Sequence, residues 1–173
     1  RASYCSRVKQ ENPNVLTVAA GDFGQSTDQF MAWEITDFSA RIMAKLKYDV
    51  WTPGERELFF GPEKLNLLVK EMGCDIVSAN LTDKSGKLLF KDRVIRTVGG
   101  MKIGVTGVTA STLFETVGTM ENAGKGQFEF KDVFDSLKPV VADLKKQTNA
   151  VVVLAHVGPG DARRLAEEVP GID

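Results

Sequence analysis

The sequence lacks the features that would place it at once among nucleic-acid-binding or membrane proteins. Its 173 residues include 22 basic and 23 acidic side chains, so it has none of the basic excess that polyanion-binding proteins carry. No apolar run approaches the roughly 18 to 20 residues that a membrane-spanning helix needs. No signal segment with a charged start and an apolar centre opens the chain. We therefore expect neither a nucleic-acid polymer as partner nor a membrane span.

Cysteine is also scarce. Cys5 and Cys74 lie far apart and form no CxxC pair, which excludes a zinc ribbon and a thioredoxin-like redox motif. Two interpretations remain open, namely a pair of partly buried thiols that act as small apolar side chains, or a single disulfide.

The apolar content, at 43%, is sufficient for the core of one ordinary domain. The two ends of the chain fit that picture less well. The first residues, RASYCSRVKQENPN, read as the middle of a helix, and the last, VPGID, stop where another strand is due. We expect residues 1–173 to form a single domain that is incomplete at both ends and belongs to a larger protein.

Apolar periodicity predicts strands and helices in alternation. Four apolar runs are typical of buried strands, and four longer stretches carry apolar residues at helical spacing. The predicted strands are 15–23, 48–52, 75–81 and 150–157, and the predicted helices are 29–47, 61–73, 131–148 and 161–169, the last with Asp161 as its N-cap. Repeated strand–helix–strand units favour parallel pairing.

One stretch predicts antiparallel pairing instead. DRVIRTV and MKIGVTGVT flank Gly99-Gly100, and a glycine pair between alternating segments is a hairpin signal. Residues 110–127 are predicted to form a loop. The fold class that follows is α/β, with a mixed sheet in layers flanked by helices.

Polar residues follow the predicted strands at the points where they end. These are Asp22, the segment 54–57, Asn80 and His156. Because ligands bind beyond the carboxyl ends of strands in open α/β sheets, we expect these groups to converge on one rim. Carboxylate oxygens with one imidazole suit a divalent cation such as Mn, Fe or Zn. Each residue taken alone is equally typical of a turn, a helix cap or a hydrogen-bonded structural histidine.

Several segments together resemble the metallophosphoesterase (calcineurin-like) domain of the 5'-nucleotidase and UDP-sugar hydrolase family. NPNVLTVAAGDFGQS is similar to the family's strand ending in Gly-Asp, and YDVWTPGERELFFGPEKL is similar to its segment around Gly-Asn-His-Glu. DIVSANL and AVVVLAHVG match two further strands, and the terminal PGID matches the approach to a Gly-His-x-His strand. The resemblance implies a metallophosphoesterase-like sandwich over nearly the whole chain.

The resemblance also implies a metal centre. In that family two metal ions lie at the strand rim and hydrolyse phosphoesters of nucleotides or nucleotide-sugars. Asp22 matches the bridging aspartate and His156 matches a later histidine ligand. An Asp-x-His pair of ligands would precede Arg1 and the last ligands would follow Asp173. The cofactor implied is a divalent metal (Mn, Zn or Fe), and the partner implied is a small-molecule phosphoester.

The chain departs from the family where the catalytic motif falls. Gly-Asn-His-Glu-Phe-Asp is replaced by Gly54-Glu55-Arg56-Glu57-Leu58-Phe59. Glu55 can still offer a carboxylate ligand. Arg56 can bind phosphate but cannot act as an acid or base at neutral pH. Phe59 replaces the orienting aspartate and has no polar side-chain atom.

Two functions follow as expectations. One is a metal-dependent hydrolase of nucleotide or nucleotide-sugar phosphoesters with weakened or lost activity, in which Asp22, Glu55 and His156 bind metal and Arg56 grips the phosphate. The other is a non-catalytic binding or scaffold domain on the same fold. The family's nucleotide-recognition domain lies outside these residues, and the resemblance implies a periplasmic or cell-surface location.

Overall fold

A computed structural model describes residues 2–24, 31–112 and 124–173. The elements alternate along the chain. In order they are α1 (Ala2–Glu11), β1 (Val18–Ala19), α2 (Ala32–Lys45), β2 (Val50–Trp51), α3 (Glu55–Phe59), α4 (Gly61–Met72), β3 (Asp75–Ile76), β4 (Leu81–Thr82), β5 (Arg93–Val98), β6 (Met101–Thr109), β7 (Glu129–Phe130), α5 (Val133–Lys145), β8 (Ala150–His156) and α6 (Pro159–Glu168). The predicted α/β class is confirmed.

Three sheets contain these strands. β1, β2 and β3 form a parallel sheet in that order, and β4 pairs with β7 in a short antiparallel ribbon. β5, β6 and β8 form a mixed sheet, in which β6 is antiparallel to β5 and parallel to β8. The hairpin predicted at Gly99-Gly100 is confirmed, since Val98 pairs with Met101 across it.

Alternation along the strands separates the layers. In β2 the side chain of Val50 packs between the two larger sheets, while Trp51 packs with buried residues of α2 and α4 on the other face. In β8 Val152 and Leu154 face the space between the sheets, and Val151 packs against α5. Successive side chains of a strand point to opposite faces of the sheet. One face of each larger sheet therefore packs against the other sheet, and the opposite face packs against helices. The result is the expected layered sandwich.

Some predicted boundaries are wrong. Of the predicted strand 15–23 only Val18–Ala19 pairs, and the predicted strand 75–81 breaks after Ile76 because the Ser78 hydroxyl accepts a hydrogen bond from the Leu81 amide and turns the chain. Asp161 lies in the first turn of α6, whose N-cap is Gly158. Most of the predicted loop 110–127, and the start of the predicted helix 29–47, lie outside the described residues.

Both cysteines are free and partly buried, which settles the alternative in favour of thiols.

Among the described residues, none of the helices has the length and apolar character needed to cross a membrane.

The two larger sheets come close together at Gly107 of β6. A Cβ atom there would lie 2.6 Å from Thr52 Cβ and 3.0 Å from the Val77 carbonyl oxygen. The Gly107 carbonyl in turn accepts a hydrogen bond of 2.7 Å from the Ala79 amide. No side chain larger than hydrogen fits without separating the sheets.

We expect Gly107→Ala to lower the free energy of unfolding by about 1–3 kcal/mol, the usual cost of overpacking a core. Urea denaturation would measure it. Gly160→Ala is the matched control, because a Cβ at Gly160 in α6 meets nothing within 4 Å and should stabilise that helix by up to about 1 kcal/mol. Equal effects of the two substitutions would contradict the close approach.

Candidate metal centre

Two turns and one strand end meet at the rim of the sheets. The first turn follows β1 and carries Asp22, the second follows β2 and carries Glu55, and β8 ends at His156. One ligand atom from each residue lies within 4.8 Å of the others, and each side chain is about 15% exposed. The structure thus brings together three of the residues that sequence analysis singled out.

Glycine makes the approach of the two turns possible. A Cβ on Gly21 would lie 2.4 Å from the Gly54 nitrogen and 2.9 Å from His156 Nδ1. A Cβ on Gly54 would lie 2.3 Å from Asp22 Oδ1. Gly21 also adopts a φ of 79° and Asp22 a φ of 52°, a left-handed conformation that aspartate tolerates better than most residues. The backbones of the two turns therefore touch at Gly21 and Gly54, and the residue after each glycine, Asp22 or Glu55, carries a carboxylate.

His156 is oriented by the backbone of the first turn. Its Nδ1 lies 2.6 Å from the Ala20 carbonyl oxygen, and because a carbonyl only accepts, Nδ1 carries a proton and donates it. Nε2 then faces the two carboxylates, in contact with Glu55 Oε2 and 3.7 Å from Asp22 Oδ1. A histidine whose second nitrogen is fixed by a carbonyl is the usual arrangement of a metal ligand.

The Asp22 carboxylate is oriented from the opposite turn. The backbone amide of Arg56 donates a hydrogen bond of 3.0 Å to Asp22 Oδ1. Two carboxylates and an imidazole on separate elements form a donor set that fits a divalent ion such as Mn²⁺, Zn²⁺ or Fe²⁺.

Burial and mutual contact shift the protonation of all three groups. Burial raises the pKa of Asp22 to about 7, with a further increase from its contact with Glu55. Burial also opposes ionisation of Glu55 and His156. Their mutual hydrogen bond, the contacts of both with Asp22 and the hydrogen bond of His156 to the Ala20 carbonyl together outweigh it, so the pKa of Glu55 falls to about 2 and that of His156 rises to about 9. Without metal, the site at neutral pH therefore contains a Glu55–His156 ion pair, and a cation would have to displace the proton from Nε2.

Two predicted site residues are not among the three that converge. Asn80 is fully buried, and its amide donates to the Thr109 carbonyl at 2.8 Å and to the Lys131 carbonyl at 3.2 Å. The Arg56 Nε is buried and has no hydrogen-bond partner among the described residues, while the Arg56 backbone amide bonds the Asp22 carboxylate.

The sequence places Glu57 in the rim segment 54–57 but assigns it no role, and the structure shows its side chain fully buried there. Its carboxylate accepts hydrogen bonds from the backbone amides of Gly54, Asp22 and Phe23, at 2.8, 2.9 and 3.2 Å. Burial raises the pKa of Glu57, although the bonds from Gly54 and Asp22 oppose the change. The available signal was its position three residues after Gly54, where a glutamate caps the start of a helix.

Comparison with curated proteins finds similarity to 5'-nucleotidases. No protein-family model matches the chain. It is 32% identical to a 5'-nucleotidase of Bos taurus over 180 residues, which cover 99% of this chain and 30% of that protein. It is 29% identical to a 5'-nucleotidase of Vibrio parahaemolyticus over 171 residues, 95% of this chain and 29% of that one. The chain thus spans about a third of the length of the curated relatives it matches.

Solved structures similar to this chain include a 5'-nucleotidase and a calcineurin-like phosphoesterase. A 5'-nucleotidase precursor from Thermus thermophilus is 28% identical, with a TM-score of 0.77, over 95% of this chain and 32% of that one. The calcineurin-like phosphoesterase YfkN from Bacillus subtilis, at 24% identity, has a TM-score of 0.79 over 99% of this chain and 60% of its own. At 24% identity, the likeness to YfkN shows a shared fold and nothing further.

The Glu55–His156 pair predicts a pH-dependent stability in chelator-treated protein. Because the pKa of His156 rises on folding, its stabilisation is full below its ordinary pKa of 6.5 and is lost as the pH rises through about 9. We expect the difference in unfolding free energy between wild type and His156→Gln to be on the order of 1–2 kcal/mol larger at pH 6 than at pH 9.5. Denaturant titrations at both pH values would test this. A difference that does not change with pH would contradict the ion pair.

Proposed function

We propose that this chain, which is similar to part of known 5'-nucleotidases, binds a divalent metal ion and, through it, a nucleotide or nucleotide-sugar phosphoester that it hydrolyses weakly. The convergence of Asp22, Glu55 and His156 within 4.8 Å carries the proposal. Their mixed oxygen and nitrogen ligands suit Mn, Zn or Fe. Such an ion, when bound, would polarise a phosphoryl oxygen and activate water.

The residues at the proposed site are suited to binding a metal ion and a phosphate, and less suited to transferring a proton to a leaving group. Asp22, Glu55 and His156 hold the cation, and Arg56 offers a guanidinium whose buried Nε has no partner among the described residues. An arginine matches the geometry of a phosphate but stays protonated, so it grips the substrate and cannot donate a proton to a leaving group. Ground-state binding without general acid catalysis is the basis for expecting slow turnover.

The alternative is a binding or scaffold domain without catalysis, and one packing contact favours it. Phe59 occupies the position of the family's orienting aspartate, and its ring lies edge-on to Phe60 at 5.4 Å. Phe60 packs in the same manner on Trp33 at 5.3 Å. In this chain the position therefore belongs to a row of aromatic contacts between α3 and α2, which is a structural use.

The wider setting is part of the same proposal. We expect residues 1–173 to act as one domain of a longer protein, with further metal ligands and the nucleotide-recognition domain outside this segment. A periplasmic or cell-surface location is part of the proposal, and the family resemblance supports it.

A metal and activity assay tests the proposal on the purified full-length protein. We expect about one or more equivalents of Mn²⁺ or Zn²⁺ per chain, and slow hydrolysis of a generic phosphodiester and of nucleotides with added Mn²⁺. Asp22→Ala should abolish both, because it removes a ligand at the centre of the cluster. Asp135→Asn is the control, since that carboxylate is 81% exposed at the start of α5. Metal binding without turnover would favour the scaffold alternative, and the absence of both would overturn the proposal.

Restoring the family's residue types should restore proton transfer. In the double variant Arg56→His and Phe59→Asp, we expect kcat on the nucleotide substrate to rise by at least about tenfold, since a positioned acid or base usually contributes 10²–10⁴-fold. Steady-state kinetics would measure it, with each single variant as control. A double variant that binds metal normally but shows no gain would argue that the loss of activity has another cause.

A further inference from the structure

The two ligand-bearing turns are joined by one buried side chain. Glu57 lies in α3, but two of the three amides that it binds belong to the turn after β1, namely those of Asp22 and Phe23. The third is the amide of Gly54, at the start of its own turn. We refer to Glu57 and these three amides as the Glu57 clamp.

A further hydrogen bond joins the two turns, this time from the backbone of the second turn to a side chain of the first. The backbone amide of Arg56, from the helix that carries Glu57, donates to the side chain of Asp22 at 3.0 Å. Each turn thus supplies a carboxylate to the backbone of the other. These bonds fix the separation of Asp22 and Glu55 through protein contacts alone.

The energetics make the clamp hard to replace. Glu57 is fully buried, so water cannot take over its lone pairs when an amide is lost. A buried carboxylate without hydrogen bonds is strongly unfavourable, and hydrogen bonds to a charged group are the stronger kind. The turns it joins are otherwise irregular backbone, and the adjoining strands β1 and β2 are only two residues long.

We propose that Glu57 is a positioning residue that assembles the metal cradle before any ion binds, so that the cation meets ligands already at their final separation. This inference rests on the proposed function. Glu57 does not touch the cation or the substrate, since its oxygens are occupied by the backbone. It acts through Asp22 and Glu55, as outer contacts of metal ligands do, and such contacts usually change affinity by 10–100-fold.

Hydrogen exchange on metal-free wild-type protein tests the assembly directly. The amides of Gly54, Asp22 and Phe23 should be protected from exchange in the presence of chelator. Exchange at the rate of an unstructured peptide would overturn the proposal, whether or not the protein has activity. This readout separates the clamp from the proposed function, which would fail instead if wild type bound no metal.

Metal affinity in variants provides the second test, with Mn²⁺ as the probe and isothermal titration calorimetry on the full-length protein. Glu57→Gln keeps the shape but turns one acceptor into a donor facing an amide, so we expect Mn²⁺ to bind 10–100-fold more weakly and the three amides to lose protection. Val141→Ala is the control for general destabilisation. Val141 is buried in α5, which contributes none of the three ligands, and its substitution should leave Mn²⁺ affinity unchanged.

Glu57→Asp keeps the carboxylate and shortens the side chain by one methylene. It is the variant to measure if Glu57→Gln does not fold. It should show the same loss of affinity and of amide protection as Glu57→Gln. Wild-type affinity in a folded Glu57 variant would overturn the proposal. An equal loss of affinity in Val141→Ala would also overturn it, because the effect would then follow from stability alone.

Discussion

The candidate site depends on a pair of reciprocal hydrogen-bonded carboxylates between two turns. Asp22 accepts from the backbone of the second turn, and Glu57 accepts from the backbone of the first. The exchange is possible only because Gly21 and Gly54 leave no side chain in the space where the turns approach. The separation of the metal ligands is therefore set by backbone packing.

That packing also explains the unusual electrostatics of the rim. Three acidic groups and one imidazole lie together with little exposure, and each would be unstable as an isolated charge. Glu57 is stabilised by backbone amides, and Glu55 and His156 neutralise each other. The pKa of Asp22 is raised, because burial and the contact with Glu55 both oppose its ionisation. A divalent cation at the proposed site would offset the negative charge of Asp22 and Glu55 and take the place of the proton on His156 Nε2.

The divergence from the family falls on the groups that would move protons and spares those that hold the site together. Gly54 and Glu57 remain and retain their structural contacts, while Arg56 and Phe59 provide a fixed positive charge and an aromatic ring. Under the proposed function, such a site would bind a phosphate more readily than it would cleave its ester.

The sequence by itself determined the α/β class, the central hairpin and three residues of the rim, because apolar periodicity and glycine-acid pairs at strand ends are local signals. It could not show that Asn80 is used to tie strands together, or that Glu57 is the residue on which the turns depend. Both are polar residues near strand ends, and only their tertiary partners distinguish them. The hydrogen bonds of Glu57 join residues 34 and 35 positions apart in the chain. Contacts of that range leave no pattern in the sequence, so the folded structure alone decided which carboxylates face the cradle and which one holds it together.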